Sequence, residues 1–373
     1  MSLIAVIILL GIVQGFFVGF FLITKRSGNK RANAILGYMF FMLSVSMGYY
    51  FFYTSNLFLN YPHLQKTTFP TTLLFGPLFY FYTKTQTERD FKFSWTHLLH
   101  LTPFAIVLIL NIPFYLKDAE YKLKYLANPE IMKSNLDLFI SIFQVLQTST
   151  YILITKKLIR EHVKRLKNEA SSIEKMNLNW LNICLNVIIC MFLFIAAHLI
   201  LIYFGVDLRS VYHVTLPVVI TIFIFIFGYL GLRQPEIVLP VEEATVAKKY
   251  EKSTLTDEKG EEHLQLLLEV MDKEKPFLKN DLTLQKLADL LDISTHHLSQ
   301  IINERLNQNF FDFVNGYRIN EAKQRLVSHD FQNFTILAIA EECGFNSKSS
   351  FNTAFKKFTD QTPSEFRKNA ESN

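Results

Sequence analysis

The stretch "GFNSKSSFNTAFKKF", from Gly344 to Phe358, combines side chains that could contact nucleic acid. Its apolar residues recur at three- and four-residue steps, which predicts a helix with one buried face. The other face carries ammonium, hydroxyl and amide groups, which suit phosphates and base edges. The candidate residues are Ser347, Lys348, Ser349, Asn352, Lys356 and Lys357. We expect the lysines to contact chiefly phosphates, although Lys357 could instead be a solvated surface charge.

A second candidate surface lies in "THHLSQIIN", from Thr295 to Asn303. Its leucine and isoleucines would form the buried face of a short helix. The residues expected on the outer face are His296, His297, Gln300 and Asn303. Amide side chains can pair with adenine edges, and histidine can contact guanine or phosphate. The residue chemistry of this stretch is thus compatible with base readout.

Two helix-turn-helix units, at about 281–306 and 335–358, must position these surfaces. Asp292 is a predicted turn residue of the first unit, and Gly344 permits a left-handed turn in the second. A serine precedes each outward helix as a predicted N-cap. Between the units, "FFDFVNGYRINEAKQRLV" predicts a helix that packs against both, and "TPSEF" predicts a capping box that starts a final helix.

Together these elements resemble the DNA-binding domain of the arabinose-regulator family (AraC/XylS type), over about 281–368. The residues that match its C-terminal signature are Gly344, Phe345, Ser347, Ser350, Phe351, Phe355, Lys356, Thr362, Pro363, Phe366 and Arg367. The resemblance implies that the first outward helix reads bases, and that the second contacts phosphates or a second half-site. Asp360 departs from the family, which favours glycine there. Because aspartate tolerates the left-handed region, we expect only local strain.

The first part of the chain has the composition of a membrane protein. Half of all residues are hydrophobic, and the mean hydropathy is +0.19. A bilayer core of about 30 Å needs about 20 apolar helical residues. Seven blocks approach that length: Leu3–Thr24, Ala32–Tyr53, Thr67–Tyr82, His97–Leu116, Leu136–Ile154, Leu181–Phe204 and Val211–Leu232. The predicted fold is therefore all-α, a bundle of about seven spans followed by two helix-turn-helix units.

The orientation follows from the lysines and arginines of the loops. Those after the first, third and fifth blocks are the more basic, and such loops stay in the cytoplasm. With seven spans, the N-terminus is outside and the C-terminal part is cytoplasmic. The predicted location is the bacterial cytoplasmic (inner) membrane.

Polar side chains within the blocks have two interpretations. They are Gln14, Gln144, Gln147, Asn186 and His198. They could form hydrogen bonds between helices, or they could line a pocket for a signal ligand. The blocks hold no central acidic or basic residue, which argues against an ion-coupled transporter.

Three regions follow from the shift in composition: a transmembrane sensor at 1–232, a linker at 233–260 and the DNA-binding domain at 261–373. The three cysteines form no CxxC pair, and no catalytic or metal-binding motif is evident. We therefore expect neither enzyme activity nor a metal or cofactor.

The predicted function is membrane-bound transcription regulation, with promoter DNA, the lipid bilayer and an unknown signal ligand as partners. A homodimer would raise affinity through effective concentration, and an activator would also meet RNA polymerase. The signal could change helix packing and bring two DNA-binding domains together, or proteolysis in the linker could release the domain. No cleavage signal is evident, which favours the first mechanism. The alternative function is a membrane receptor or transporter-like protein, with the helix-turn-helix part as an accessory or protein-interaction module.

Overall fold

The computed structural model describes residues 2–88, 91–128, 135–174, 176–206, 209–233 and 256–371. Within these ranges the regular elements are helices and no strand forms, so the all-α prediction is confirmed. The chain divides into two compact units. The first is Met1–Arg160 with Leu178–Ile237, and the second is Glu161–Asn177 with Val238–Asn373. Residues 161–177, which the sequence assigned to the membrane domain, therefore group with the helix-turn-helix part.

Long apolar helices dominate the first unit. They are α1 (Leu3–Thr24), α2 (Lys30–Thr54), α3 (Phe75–Thr87), α4 (Thr102–Tyr115), α5 (Ala119–Ala127), α6 (Asn135–Glu169), α7 (Asn179–Tyr203) and α8 (Arg209–Leu232). The last turns of α6, from Glu161, are counted in the second unit. A 3₁₀ segment, Trp95–Leu101, leads into α4. Six of the described helices are long and apolar enough to cross a membrane.

The third predicted block differs from the other six. It forms a 3₁₀ segment, Pro70–Leu74, followed by the 13-residue α3. Pro70 begins the 3₁₀ segment, and Pro77 lies in the first turn of α3, where its missing N–H leaves no intrahelical bond unmade. Helix α3 by itself is shorter than a bilayer requires.

Contacts at the two ends of the unit show where this short segment runs. At one end, the Asn29 side chain donates to the Thr85 carbonyl (2.7 Å). At the other end, Lys66 pairs with Asp137 (2.6 Å), and the Tyr115 hydroxyl donates to the Lys66 carbonyl (3.2 Å). Residues 70–87 therefore run between the same two ends as α2 and α4.

Close helix packing in this unit depends on glycine. Gly11, Gly15 and Gly19 recur at four-residue steps on α1, a pattern that lets helix backbones approach. A Cβ atom at Gly19 would lie 2.9 Å from the Gly37 carbonyl oxygen of α2, and one at Gly37 would lie 2.8 Å from that of Gly19. The pair therefore has no room for a larger residue. The outer side of α1 instead exposes large side chains such as Phe17 and Phe20, which suits a lipid environment.

The second unit contains shorter helices. They are α9 (Asp257–Lys273), α10 (Leu284–Leu290), α11 (Thr295–Gln300), α12 (Phe310–Val327), α13 (Ile336–Glu342), α14 (Lys348–Thr359) and α15 (Pro363–Glu371). Helix α9 begins inside the range predicted as linker. The remainder of that linker, 234–255, lies outside the described residues.

Helix α12 contributes to two separate apolar cores. Phe310, Phe313 and Val314 pack with α10 and α11, whereas Ile319 and Ala322 pack with α13 and α14. The prediction that the connecting helix packs against both units is confirmed. The predicted capping box is also present: the Thr362 N–H donates to Glu365 (2.7 Å), and the Glu365 N–H donates to the Thr362 hydroxyl (3.3 Å).

Candidate functional site

The two helix pairs of the second unit share one turn geometry. In the first pair, Asp292 has φ 53° and the Ile293 N–H donates to the Ala288 carbonyl (3.1 Å). In the second pair, Gly344 has φ 86° and the Phe345 N–H donates to the Ala340 carbonyl (2.9 Å). A left-handed residue thus turns the chain after both α10 and α13. Both predicted turn residues are confirmed.

The outward helix of the first pair is α11, which continues as a π-helical turn over Ile301–Arg305. Ser294 caps it, because its hydroxyl accepts from the His297 N–H (3.1 Å). His296 and Asn303 are exposed, and Gln300 is half-buried. The Gln300 amide donates to Glu304 (2.9 Å), and the Asn303 amide donates to the Ser299 hydroxyl (3.0 Å). The candidate base readers therefore lie on one face.

His297 does not belong to that face. It is only 8% exposed, and its ring lies 6.4 Å from that of His263 on α9. The prediction that it points outward is wrong, because α9 covers the side of α11 that carries this residue. Helix α9 is not part of the helix-turn-helix pattern, so that pattern does not predict the burial of His297.

The outward helix of the second pair is α14. Ser347 is its N-cap and accepts from the Ser350 N–H (3.2 Å), while Lys348 and Ser349 are exposed in the first turn. Further along, a cleft of about 400 Å³ is lined by Asn352, Thr353, Lys356, Lys357 and Thr362. The structure thus brings three of the predicted residues together. The Lys357 ammonium is also paired with Asp312 of α12 (2.7 Å).

A buried arginine of α12 connects residues 161–177 to the rest of the second unit by hydrogen bonds. Arg318 of α12 is 1% exposed and donates to the carbonyls of Phe277 (2.7 Å) and Lys279 (2.8 Å). It also donates to the Ser171 carbonyl (3.1 Å) and hydroxyl (3.0 Å). Burial lowers the pKa of Arg318 to about 10, so the guanidinium stays charged at neutral pH. Its acceptors therefore hold a charged donor in place.

Further contacts fix the same segment. The Ser171 N–H and hydroxyl both donate to the Leu282 carbonyl (3.2 and 2.7 Å). Leu166, Ala170 and Ile173 form a small core against Phe311. The Asn346 amide, beside the cap of α14, donates to the Ser172 hydroxyl (2.6 Å). None of these contacts follows from a local sequence pattern, so the sequence did not predict them.

The first unit contains a cavity of about 580 Å³. Two of the five candidate ligand residues, Gln144 and His198, line it. The other three do not: the Gln147 amide donates to the Leu73 carbonyl (3.3 Å), Asn186 accepts from Lys156 (2.6 Å), and Gln14 is half-buried on α1. Gln147 and Asn186 thus make the hydrogen bonds between helices that were the alternative to a ligand pocket.

The cavity wall is mostly apolar and aromatic, and among the residues that the structure describes its lining includes no acidic residue, lysine or arginine. The His198 and Tyr212 rings stack with centroids 4.2 Å apart. Tyr50, Tyr151 and Gln144 are further polar residues of the lining. A neutral molecule with a few polar atoms would be compatible with this wall.

Comparisons with known proteins concern the second unit. Residues 287–369 match the family described as Helix-turn-helix domain. An uncharacterized HTH-type transcriptional regulator of Staphylococcus aureus (strain COL) is 40% identical over 87 residues, which are 23% of this chain and 11% of that protein. The HTH-type transcriptional regulator GlxA of Rhizobium meliloti (strain 1021) is 29% identical over 102 residues, which are 27% of this chain and 31% of GlxA.

A solved structure is also similar. The C-terminal domain of AraT, a response regulator from Geobacillus stearothermophilus, is 29% identical, with a TM-score of 0.25, and the match covers 31% of this chain and 88% of that one. The C-terminal part of the present chain is a helix-turn-helix domain of the AraC type, as its motifs predicted. The chain spans about 11% of the length of the Staphylococcus relative.

Proposed function

We propose that this protein is a membrane-bound transcription regulator, whose apolar bundle senses a signal and whose second unit binds promoter DNA. The observation that carries the proposal is the place of residues 161–177. They follow the apolar part of α6 and precede α7, yet they are built into the helix-turn-helix unit through Arg318 and Leu282. A change at α6 would thus reach the DNA-binding unit directly.

The same contacts support the proposed orientation. Because residues 161–177 pack with residues 257–371, both must lie on one side of the membrane, and α7 and α8 would cross it as a pair. If residues 70–87 cross as well, seven crossings put the N-terminus outside and the DNA-binding unit in the cytoplasm. This arrangement leaves the basic loop after α1 in the cytoplasm, as basic residues prefer.

Tethered action is favoured over proteolytic release. A cut in the 234–255 stretch would separate the helix-turn-helix domain from residues 161–177 and leave the two Ser171 acceptors of Arg318 behind. The released domain would therefore lack part of its own structure. We propose that signal binding instead repacks the helices of a homodimer, so that two domains engage DNA together; an activator would then also contact RNA polymerase. Immunoblots showing a stable C-terminal fragment in activated cells would favour release.

The signal proposed for the bundle cavity is a neutral, largely apolar small molecule. A charged ligand would lose hydration without gaining an opposite charge from the lining. A thermal-shift screen of neutral amphiphiles, with matched carboxylates and amines, tests this class. Binders should be neutral and should lose affinity in Ile195→Trp, which places a larger side chain in the cavity wall. Binders found only among charged compounds would contradict the proposal.

The DNA contacts are proposed from the exposed faces. His296, Gln300 and Asn303 would approach base edges, while Lys348 and Lys356 would approach phosphates. Lys357 would contribute less, because it is paired with Asp312. Ser347, Ser349 and Asn352 would add hydrogen bonds near the same backbone.

The decisive experiment maps the genomic DNA bound by the full-length protein in cells, and then measures binding of the recovered sites in lipid nanodiscs. We expect Lys348→Ala to weaken binding to all sequences by a similar factor, because it removes a phosphate contact. Gln300→Ala should relax preference at one base position. Full-length protein that enriches no genomic site would refute transcription regulation by DNA binding.

A further inference from the structure

We propose that the end of α6 forms part of the DNA-binding surface, and that Lys164 and Lys167 contact DNA phosphates beside the first outward helix. The inference depends on the proposed DNA binding. It goes further by assigning a DNA-binding role to residues at the end of a proposed membrane helix.

The evidence is a polar cleft of about 430 Å³ that lies wholly within the second unit. Its lining residues are Lys164, Lys167, Asn168, Asn303, Asn307, Gln308 and Asn309. Two ammonium groups thus face amide side chains, and all of these groups can donate hydrogen bonds to phosphate oxygens. Within the described part of the chain, the lining contains no carboxylate to oppose an anion.

The two lysines are well placed for this role. Lys164 is exposed, whereas Lys167 is half-buried, with its ammonium 5.6 Å from the centroid of the Phe311 ring. Asn303, a candidate base reader, lines the same cleft. A DNA strand whose bases meet α11 would therefore bring its phosphates close to these ammonium groups.

The docking of α6 fixes the position of the lysines. Leu166, between them in sequence, is 1% exposed in the core against Phe311. Ser171 is held by Arg318 and Leu282 just beyond. Loss of this docking would remove two phosphate contacts while leaving α11 itself intact. The docked state of α6 would thus set the strength of DNA binding.

Anionic lipid headgroups are the competing partner for a basic segment near a membrane. DNA is favoured because five amide residues, four of them contributed by the helix-turn-helix part, share the cleft with the lysines. Glu161 and Glu169 lie on the same helix end as the lysines but do not line the cleft. The test therefore varies the sequence of the DNA and the charge of the lipid.

The experiment compares full-length protein with Lys164→Gln/Lys167→Gln in nanodiscs, using a recovered genomic site and a mixed-sequence duplex. A matched control, Lys273→Gln/Lys275→Gln, removes two charges from the same unit at positions away from the cleft. Of these control lysines, Lys273 pairs with the exposed Glu269, and Lys275 pairs with Glu321, whose side chain is 12% exposed. Each protein is measured over a range of salt concentrations, in zwitterionic and in anionic lipid.

We expect the Lys164/Lys167 variant to bind both duplexes about tenfold more weakly and to lower the slope of log affinity against log salt by about 1 to 2. The control should keep the wild-type slope. An unchanged slope with wild-type affinity would overturn the inference and leave the proposed function intact. A variant effect confined to anionic lipid would assign the cleft to headgroups and overturn the inference as well. Absence of DNA binding by the wild-type protein would instead refute the proposed function.

Discussion

Arg318 links three separate stretches of the second unit. Its guanidinium is buried and donates to the carbonyls of Phe277, Lys279 and Ser171 and to the Ser171 hydroxyl. Arg318→Ala would leave these buried acceptors without a donor. We expect a loss of about 3 kcal/mol in the free energy of unfolding of this unit, measured by denaturant titration of the full-length protein in detergent.

Ser171→Ala is the matched variant for this prediction. It removes only one hydroxyl, so its cost should be about 1 kcal/mol. Hydrogen exchange should then show faster opening of residues 161–177 in Arg318→Ala than in Ser171→Ala. Equal unfolding midpoints for Arg318→Ala and the wild type would contradict the structural role of this arginine.

His162 should make the docking of α6 sensitive to pH. It is 2% exposed, and its Nε2 atom lies 2.9 Å from the Met176 carbonyl oxygen. Burial lowers the pKa of His162, which the hydrogen bond to Met176 partly opposes and the nearby Arg165 reinforces. A histidine whose folded pKa lies below its unfolded value, about 6.5, stabilises the fold above that pH and loses this contribution as the pH falls.

We therefore expect residues 161–177 to exchange amide hydrogens faster at pH 5.5 than at pH 7.5, after correction for intrinsic exchange rates. His162→Gln, which cannot titrate, should reduce this difference. A pH effect of the same size in both proteins would show that another group is responsible.

At the residue scale, the sequence predicted what local chemistry determines. The serine caps and the threonine–glutamate box follow from backbone donors that need a nearby acceptor within three residues. The hydrogen bond between Ser171 and Leu282 joins residues 111 positions apart. No local sequence pattern predicts it. The same limit explains His297, whose cover comes from α9.

Turn elements carry a small amount of strain that can be tested. Asp360 follows the last residue of α14 and has φ 58°. This left-handed conformation is the one expected at a position where the family favours glycine. Glycine adopts this region without a Cβ penalty, at the cost of more entropy in the unfolded chain. Asp360→Gly should therefore stabilise the unit by about 0.5 kcal/mol, whereas Asp360→Val should destabilise it by about 1 kcal/mol or more. Thermal unfolding midpoints of the two variants should move in opposite directions; movement in one direction would argue against strain at this turn.

Element prediction succeeded where apolar periodicity was strong and was weaker where proline intervened. Helices α1, α2 and α8 lie close to their predicted blocks. The third block was placed at Thr67–Tyr82, but the structure has a 3₁₀ segment and then α3, which ends at Thr87. A hydropathy pattern does not predict the polar end of α3. Threonine hydroxyls there donate to carbonyls of the preceding turn, such as Thr83 to Phe79 (2.9 Å).

For the whole molecule, the proposed orientation makes a prediction about accessibility. In a variant whose three cysteines are replaced by alanine, Asn60→Cys should react with a membrane-impermeant maleimide in intact cells. Ser27→Cys should react only after permeabilisation, because it precedes α2 on the proposed cytoplasmic side. Both positions are exposed in the first unit, so access rather than burial decides the result. The reverse pattern would mean that residues 70–87 do not cross or that the bundle is inverted.

The split of the second unit between residues 161–177 and 257–371 also has a consequence for biogenesis. The ribosome makes the first piece before α7 and α8 and the second piece only after them. In the proposed membrane arrangement, Leu166 and Ile173 of the early piece would stay uncovered until α7 and α8 had been inserted and the late piece had been made. In the proposed arrangement, a chain in which only one of α7 and α8 inserts would place the late piece on the opposite side of the membrane from the early one. Only copies with both helices inserted, or neither, could then complete the second unit and bind promoter DNA as proposed.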